Sequence, residues 1–575
     1  MTSDEVSQTA LWHAATLMAG YSEADYAAWL PRELPLSAKL AVPLLDMPAA
    51  AQPRLSFLIA APAVTPALET TLRSACWDSR SIEIVLALPA DVTFEGAAYG
   101  NVRRVALPAE ESATANAALA AAAGEFVAFL SPGDVLRAGA CAFIIGRLLA
   151  APTLNMAYAS EDWIDADGRR CLPRFKPEWD PFAQLAFDLP GRLCIMRREQ
   201  VTALGGLRPA FAPADHYDLH LRLGTHVPES TIARWPEIVC HRAIPAQSDA
   251  ATVEHCVARY ADAAQRAASA HLGRPVTASP LATFINRPHF ARPEEALRVT
   301  ILVPTRDRVE LLQNCLSGLL QRTDYPALDI LILDNESREP ATLAYFAELA
   351  ADPRVEVLRV PGPFNYSAIN NTGVRAARGD ILVFMNNDVE VITPGWLAEM
   401  VAVVCRPEVG CVGAKLLYGD GRVQHAGVSL EPGPLAMHVH RLRGSEELGS
   451  NAELAGLARC SAVTAACLAV RRDVFDEVGG FDEHKLRIAY NDIDLCLKVE
   501  DSGRSNVCVA YEPLFHLEGA SRHTQADPVK IAQDRREMNA FRNRWRERFD
   551  ADPVAHPNIR RDWDLPDRLV AFKAF

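Results

Sequence analysis

Apolar residues in this chain are grouped in short blocks. Runs rich in Val, Ile and Leu occur at 55–59, 82–88 and 126–130, and again at 299–303, 329–333 and 381–385, with a weaker one at 355–359. Continuous apolar runs of this length, bounded by turn-forming residues, predict strands buried on both faces. Between them, residues 309–320 and 341–349 carry apolar positions at helical spacing, and an Ala-rich amphipathic helix is predicted at 252–271, stopped by Gly273. Strands alternating with helices of this size predict βαβ units and largely parallel sheets. The carboxyl ends of the second set of strands, carrying Thr305, Asp334 and Asp388, should then lie along one edge, where open α/β sheets bind ligands.

The layout occurs twice. The run 381–385 ends in Asn386-Asn387-Asp388-Val389-Glu390, and the run 126–130 ends in Ser131-Pro132-Gly133-Asp134-Val135. Asn371 precedes Gly379 by eight residues, as Asn116 precedes Gly124. Arg471-Arg472 and Gly479-Gly480 repeat the spacing of Arg197-Arg198 and Gly205-Gly206, and His516 follows Gly480 by 36 residues where His241 follows Gly206 by 35. Order and spacing together indicate a tandem duplication. The expected division is a helical leader at 1–53, a first unit at 54–245, a helical connector at 246–297, a second unit at 298–525 and a C-terminal helical extension at 526–575.

Composition narrows the classes. With 575 residues, 49% hydrophobic and 23% charged, the chain can bury substantial cores. A net charge of -14 argues against nucleic acid as a partner. Thirteen cysteines without a CxxC pair suggest neither a zinc site nor a disulfide framework. The acidic start lacks a signal-peptide core and no apolar stretch reaches membrane-span length, so a cytoplasmic location is expected.

A first strand tipped by Pro304-Thr305, a second ending in Asp334-Asn335-Glu336-Ser337, an Asn-x-Gly and an apolar strand capped by Asp388 form one ordered set. With Gly479-Gly480-Phe481-Asp482-Glu483 and Asn491-Asp492-Ile493-Asp494-Leu495, it resembles the family-2 glycosyltransferases of GT-A fold across residues 298–523. The runs Tyr366-Ser367-Ala368-Ile369-Asn370-Asn371-Thr372-Gly373 and Gln424-His425-Ala426-Gly427 resemble the bacterial enzymes of O-antigen and related surface-polysaccharide synthesis. So do Tyr158-Ala159-Ser160-Glu161-Asp162 and Phe175-Lys176-Pro177-Glu178-Trp179. The fold class implied is α/β, with two tandem GT-A-like domains, mostly parallel central sheets and flanking helices.

That resemblance implies a nucleotide-sugar donor, UDP- or dTDP-linked, and a hydroxyl acceptor on a glycan or its lipid-linked precursor. Asp388 matches the second Asp of the family's DxD motif, with Asn386 in place of the first. It would hold Mg²⁺ or Mn²⁺ together with His516, because a hard cation on carboxylate oxygen neutralises a leaving diphosphate. Pro304, Thr305, Asp334, Asn371 and Asn387 are expected to line the donor, and Arg522 to fork onto its diphosphate. Asp492 is expected to be the general base of a single inverting displacement; Asp494, on the same helix, is expected to be structural. No role is assigned to His425, and Asn370 stands where many relatives carry Arg.

The first unit departs from the pattern. Ala60-Ala61 replace Pro304-Thr305, Pro89 stands where an Asp would end the second strand, Ser131 and Gly133 fall on the two DxD positions, and His216 aligns with Asp492. It is expected to be degenerate, kept for packing, acceptor binding or assembly. Residues 528–549 predict an amphipathic helix with seven basic and three acidic residues. Such a helix suits peripheral contact with the inner face of a membrane or packing on the second unit; packing is the expectation. A non-catalytic glycan-binding or scaffold protein is the alternative function. A sugar-nucleotide pyrophosphorylase is disfavoured, since Pro304-Thr305-Arg306-Asp307 is not a Gly-rich basic loop.

Overall fold

The computed structural model describes residues 1–39, 54–76, 81–99, 102–106, 114–246, 249–293, 295–431, 435–517, 528–549, 552–561 and 567–570. Two large mixed sheets dominate it, and they share one topology. The first runs, in spatial order, Val102–Ala106, Ile82–Leu88, Leu55–Ala60, Phe126–Leu130, Ile195–Arg197, Met156–Ile164, Ile232–Ala243 and Val135–Leu136. The second runs Val355–Arg359, Leu328–Asp334, Val299–Thr305, Ile381–Met385, Cys467–Arg471, Val409–Leu417, Ser505–His516 and Val389–Val391. The first four strands of each order are parallel, and the fifth is antiparallel to the fourth. The inner parallel strands are covered on both faces, which is why the sequence shows them as continuous apolar runs, whereas the edge strands Val102–Ala106 and Val355–Arg359 are partly exposed.

The repeated landmarks have repeated contacts. Asn371 donates through Nδ2 to Phe481 O at 2.9 Å and accepts at Oδ1 from Phe481 N at 3.1 Å. Asn116 makes the same pair with Leu207, at 2.8 and 2.9 Å. Gly480 sits at φ +62°, and a Cβ there would lie 2.7 Å from the Phe475 ring and 3.0 Å from Asn371 Oδ1, so the tight turn requires glycine. Arg472 Nε donates to Gly379 O at 2.8 Å, as Arg198 Nε does to Gly124 O at 2.6 Å.

One expectation is corrected by strand register. Val389 pairs with His516 in the second sheet, and Val135 pairs with His241 in the first. Asp134, not Gly133, is therefore the structural counterpart of Asp388. The turn Ser131–Asp134 is one residue longer, and Gly133 at φ +100° absorbs the extra residue, a conformation L side chains avoid.

Helices of the first unit and the second sheet share a core. Phe182, Tyr217, Tyr260, Phe284, Leu316 and Trp396 belong to one buried cluster, with the helix Ala250–Leu272 contributing from between the units. Polar ties cross the seam: Asp180 Oδ2 accepts from Arg459 N at 2.6 Å, while Asn451 accepts from Arg174 Nε and donates to Phe175 O, each at 3.1 Å. The run Phe175–Trp179 thus faces the partner unit. Its Lys176 is fully buried, 3.0 Å from Glu161, and burial lowers the Lys176 pKa to about 8.

The helix Pro528–Trp545 packs on the second unit. Phe541, Trp545 and Phe549 are buried in its core, and Phe541 stacks on Tyr490 with ring centroids 4.9 Å apart. These aromatics are therefore not presented to a membrane, although Val529 and Ile531 at the start of the helix are exposed. No helix among the described residues is long and apolar enough to cross a membrane. Asp494, completely buried, anchors the helix: Oδ1 accepts from Arg544 Nη1 at 2.6 Å and Trp545 Nε1 at 2.9 Å, and Lys498 Nζ lies 3.4 Å from Oδ2. Asp494→Ala is expected to cost about 3–5 kcal/mol, the scale of removing one partner from a buried ion pair, measurable as a lowered denaturant midpoint.

Candidate active site

The strand tips of the second sheet converge as the sequence predicts. Pro304 lies beyond Leu302, the last residue paired with the strand Ile381–Met385, where its missing N–H leaves no ladder bond unmade on that side. Thr305 is buried and its Oγ1 accepts from Asn387 Nδ2 at 2.9 Å, which ties the tips of two adjacent strands. Asp334 is 2% exposed; Oδ1 accepts from Ser337 N at 2.8 Å, closing the turn, and Oδ2 accepts from Arg359 Nη1 at 3.1 Å.

Asp388 and His516 form a corner. The ladder pairing of Val389 with His516, and Leu517 N donating to Asp388 O at 3.0 Å, set the two segments side by side. His516 Nε2 lies 3.1 Å from Asp388 Oδ1 and 3.3 Å from Asn386 Nδ2. On its far side Nδ1 meets Gln424 Oε1 at 2.6 Å. An amide oxygen offers no proton, so Nδ1 carries a hydrogen, and in the neutral tautomer Nε2 is a lone pair with Asn386 Nδ2 also 3.3 Å from it. That lone pair faces Asp388 Oδ1, itself buried and without a hydrogen-bond donor. Two acceptors at 3.1 Å repel unless a proton or a cation lies between them. The corner therefore fits a hard divalent cation, with Asp388 oxygen and His516 nitrogen as its protein ligands. Among the described residues no group of three or more His, Cys, Asp or Glu side chains surrounds such a position.

Asp492 opens the helix Asn491–Asp501 and is half-buried. Its Oδ2 accepts from Ala465 N at 3.0 Å and its Oδ1 from Ile493 N at 2.9 Å. The next peptide reaches the cation corner, since Ala466 O accepts from Asn386 N at 3.1 Å. Segment 463–466 thus joins the two acidic groups, and sequence reasoning missed it; its run of small residues between two strands is the only signal it gives. The Tyr366–Gly373 run secures the same region. Tyr366 OH donates to Ala465 O at 3.1 Å, and Ser367 N donates to Arg487 O at 3.2 Å.

Two other expectations change. Asn371, expected at the donor, engages both ends of its amide with the Phe481 backbone, as Asn116 does with Leu207, so its side chain braces the glycine turn. His425 acquires a place. Its Nε2 accepts from Gly427 N at 3.3 Å and Thr464 N at 3.4 Å, and Nδ1 is 3.1 Å from His438 Nδ1. Burial, with His438 and His516 adding, holds its pKa well below the ordinary histidine value, in keeping with a neutral ring. Arg522 lies outside the described residues.

In the first unit the same corner has been taken apart. His241 Nδ1 is 2.5 Å from Asp162 Oδ1, and Asp134 Oδ2 accepts from Ser131 N at 2.8 Å and lies 3.3 Å from Arg192 Nε. Each former partner now faces a different buried charge. A cavity of about 1090 Å³ occupies the strand tips, walled by Ala60, Ala61, Pro89, Phe129 and the N-terminal helix Ser3–Leu17. From that helix Asp4 reaches in, accepting from Ser131 Oγ at 2.8 Å. His216 is packed edge-on against Phe129 at 4.9 Å, and burial, with Arg192 and His220 adding, pushes its pKa far below the usual range.

Residues 300–479 match the model of glycosyl transferase family 2. An uncharacterized protein y4gI of Sinorhizobium fredii is 38% identical over 456 residues, covering 78% of this chain and 50% of the relative. The O-antigen biosynthesis protein RfbC of Myxococcus xanthus is 37% identical over 435 residues, covering 74% of this chain and 33% of that protein. The chain thus spans half or less of the length of these two relatives. The O-antigen chain rhamnosyltransferase RfbN of Salmonella typhimurium is 23% identical over 235 residues, 40% of this chain and 67% of that one. Among solved structures, GalNAc-T7 with UDP, GalNAc and Mn²⁺ has a TM-score of 0.36 at 17% identity, covering 45% of this chain and 51% of that chain.

Proposed function

We propose, from the match of residues 300–479 to the glycosyl transferase family 2 model, that the chain moves a sugar from a pyrimidine nucleoside diphosphate to a hydroxyl of a bacterial surface glycan or its lipid-linked precursor. The observation that carries the reading is the approach of His516 Nε2 to a buried Asp388 oxygen at 3.1 Å, with the segment that binds Asp492 also bonded to Asn386 of the same turn. Thr305, Asp334 and Asn387 bound the nucleoside end at the neighbouring strand tips. Asp388 and His516 would hold Mg²⁺ or Mn²⁺, which would supply positive charge to the departing diphosphate. Asp492 takes the proton of the acceptor hydroxyl as its oxygen bonds to the anomeric carbon. The bond from that carbon to the diphosphate breaks on the opposite face, its electron pair leaves with the phosphate oxygen, and the configuration inverts. The names of the relatives in O-antigen synthesis support a surface-glycan acceptor, with rhamnose and common hexoses as first donors to test.

The test is release of nucleoside diphosphate from a panel of UDP-, dTDP- and GDP-sugars with Mn²⁺ or Mg²⁺, and the product anomer by NMR. Turnover of a pyrimidine donor with inversion is expected. Retention of configuration, or turnover of GDP-sugars alone, would overturn the reading; glycan binding with no turnover of any donor would assign a binding role instead.

We also infer that the first unit is catalytically silent, because Asp134 and His241 are held apart by Arg192 and Asp162. Asp134→Asn combined with His216→Ala is expected to lower stability and leave turnover per folded molecule nearly unchanged. A loss beyond about a hundredfold, the scale of losing a general acid–base catalyst, would assign chemistry to this unit.

A further inference from the structure

We propose that Gln424 is a positioning residue for the cation corner, fixing the tautomer of His516 so that its Nε2 lone pair is presented beside Asp388. The proposal rests on the reading of Asp388 and His516 as cation ligands. Gln424 is 3% exposed, and its amide orientation is set from both ends: Oε1 is 2.6 Å from His516 Nδ1, and Nε2 is 3.5 Å from His516 O. A neutral imidazole has one N–H, and whichever nitrogen it occupies is chosen by the partner of the other. With Gln424 Oε1 on Nδ1, the proton has to stay there, and Nε2 is left to bind a cation.

In the first unit His241, at the same register, has its Nδ1 2.5 Å from a carboxylate, Asp162, which also pairs with Arg170 at 2.6 Å. The ring nitrogen away from the corner is thus held by an acceptor in both units, from a different strand in each. In the second unit Gln424 accepts the Nδ1 hydrogen and turns the other ring nitrogen toward Asp388. The strand Val423–His425 delivers this residue, because it pairs with the end of Val409–Leu417, which in turn lies beside Ser505–His516. His425, next in sequence, holds the amide of Thr464. This accounts for the Gln-His pair, which the assignment of ligands and base leaves without a role.

The experiment measures Mn²⁺ binding to the full chain by electron paramagnetic resonance of free Mn²⁺, with nucleoside diphosphate present, and nucleoside diphosphate binding without metal by calorimetry. Gln424→Leu removes the acceptor and is expected to weaken Mn²⁺ by about ten- to a hundredfold, the usual effect of losing an outer partner of a ligand, while metal-free nucleotide binding stays within about threefold. Gln424→Glu restores an acceptor and is expected to recover most of the Mn²⁺ affinity, which a purely packing role would not produce. Thermal melting identifies a variant that fails to fold, and the Glu variant then carries the test alone: Mn²⁺ affinity more than about a hundredfold below wild type in a folded Gln424→Glu protein overturns the proposal. Wild-type Mn²⁺ affinity in Gln424→Leu with loss in Asp388→Ala overturns this proposal and leaves the corner standing. Wild-type affinity in both overturns the corner itself.

Discussion

Asp492→Asn is expected to bind donor nucleotide as the parent does and to transfer sugar at least about a hundredfold more slowly, since removing a general base costs about a hundred- to ten-thousandfold. Asparagine keeps the size of the side chain and one acceptor oxygen, enough to retain the Ala465 N–H that now binds Oδ2 at 3.0 Å. It cannot take a proton. The competing role, capping the helix Asn491–Asp501, predicts the opposite pair of results: a loss of about 1 kcal/mol in stability with normal turnover. Asp494 is not a substitute candidate, because its oxygens face Arg544, Trp545 and Lys498 in the interior. Single-turnover rates beside nucleotide titrations separate the outcomes, and normal transfer by the Asn variant would remove Asp492 from the mechanism.

Asp388→Ala is expected to abolish the metal dependence of donor binding and to lower transfer on the order of a thousandfold or more, since a cation at a leaving diphosphate supplies several kcal/mol and each 1.4 kcal/mol is tenfold. Oδ1 is buried and its removal gives up one internal contact, with the facing His516 ring at 3.1 Å. The folding cost should therefore be modest compared with that of Asp494→Ala. Calorimetric titration of nucleoside diphosphate with and without Mn²⁺ checks it; unchanged affinity and unchanged metal dependence would withdraw Asp388 from the site.

Much of this was legible before any coordinates. Continuous apolar runs located the central strands to within a residue or two, since a strand buried on both faces has little freedom in composition. Asp388, His516 and Asp492 stood out because carboxylates and histidines at strand and helix ends are few. What remained hidden depends on register and on backbone contacts. A one-residue insertion at Gly133 shifts the apparent counterpart of Asp388 by one place, and only the pairing of Val135 with His241 corrects it. The Asn371 amide looked available because a sequence does not reveal that the Phe481 backbone already satisfies it. Segment 463–466 contributes peptide N–H and C=O groups, which carry no residue signature at all.

The pairing of Val389 with His516 bears on how such a chain can change over time. Asp388 and His516 meet through backbone bonds between two short segments, so the loops between residues 392 and 504 that lie outside the strands, Gln424, segment 463–466 and the helix Asn491–Asp501 can be rebuilt without disturbing their meeting. A lineage could exchange the loops that choose its acceptor while inheriting the cation corner ready-made. The first unit shows the other side of that inheritance: Val135 still pairs with His241 although both neighbouring side chains have taken new partners, so the framework has outlived the chemistry it once held.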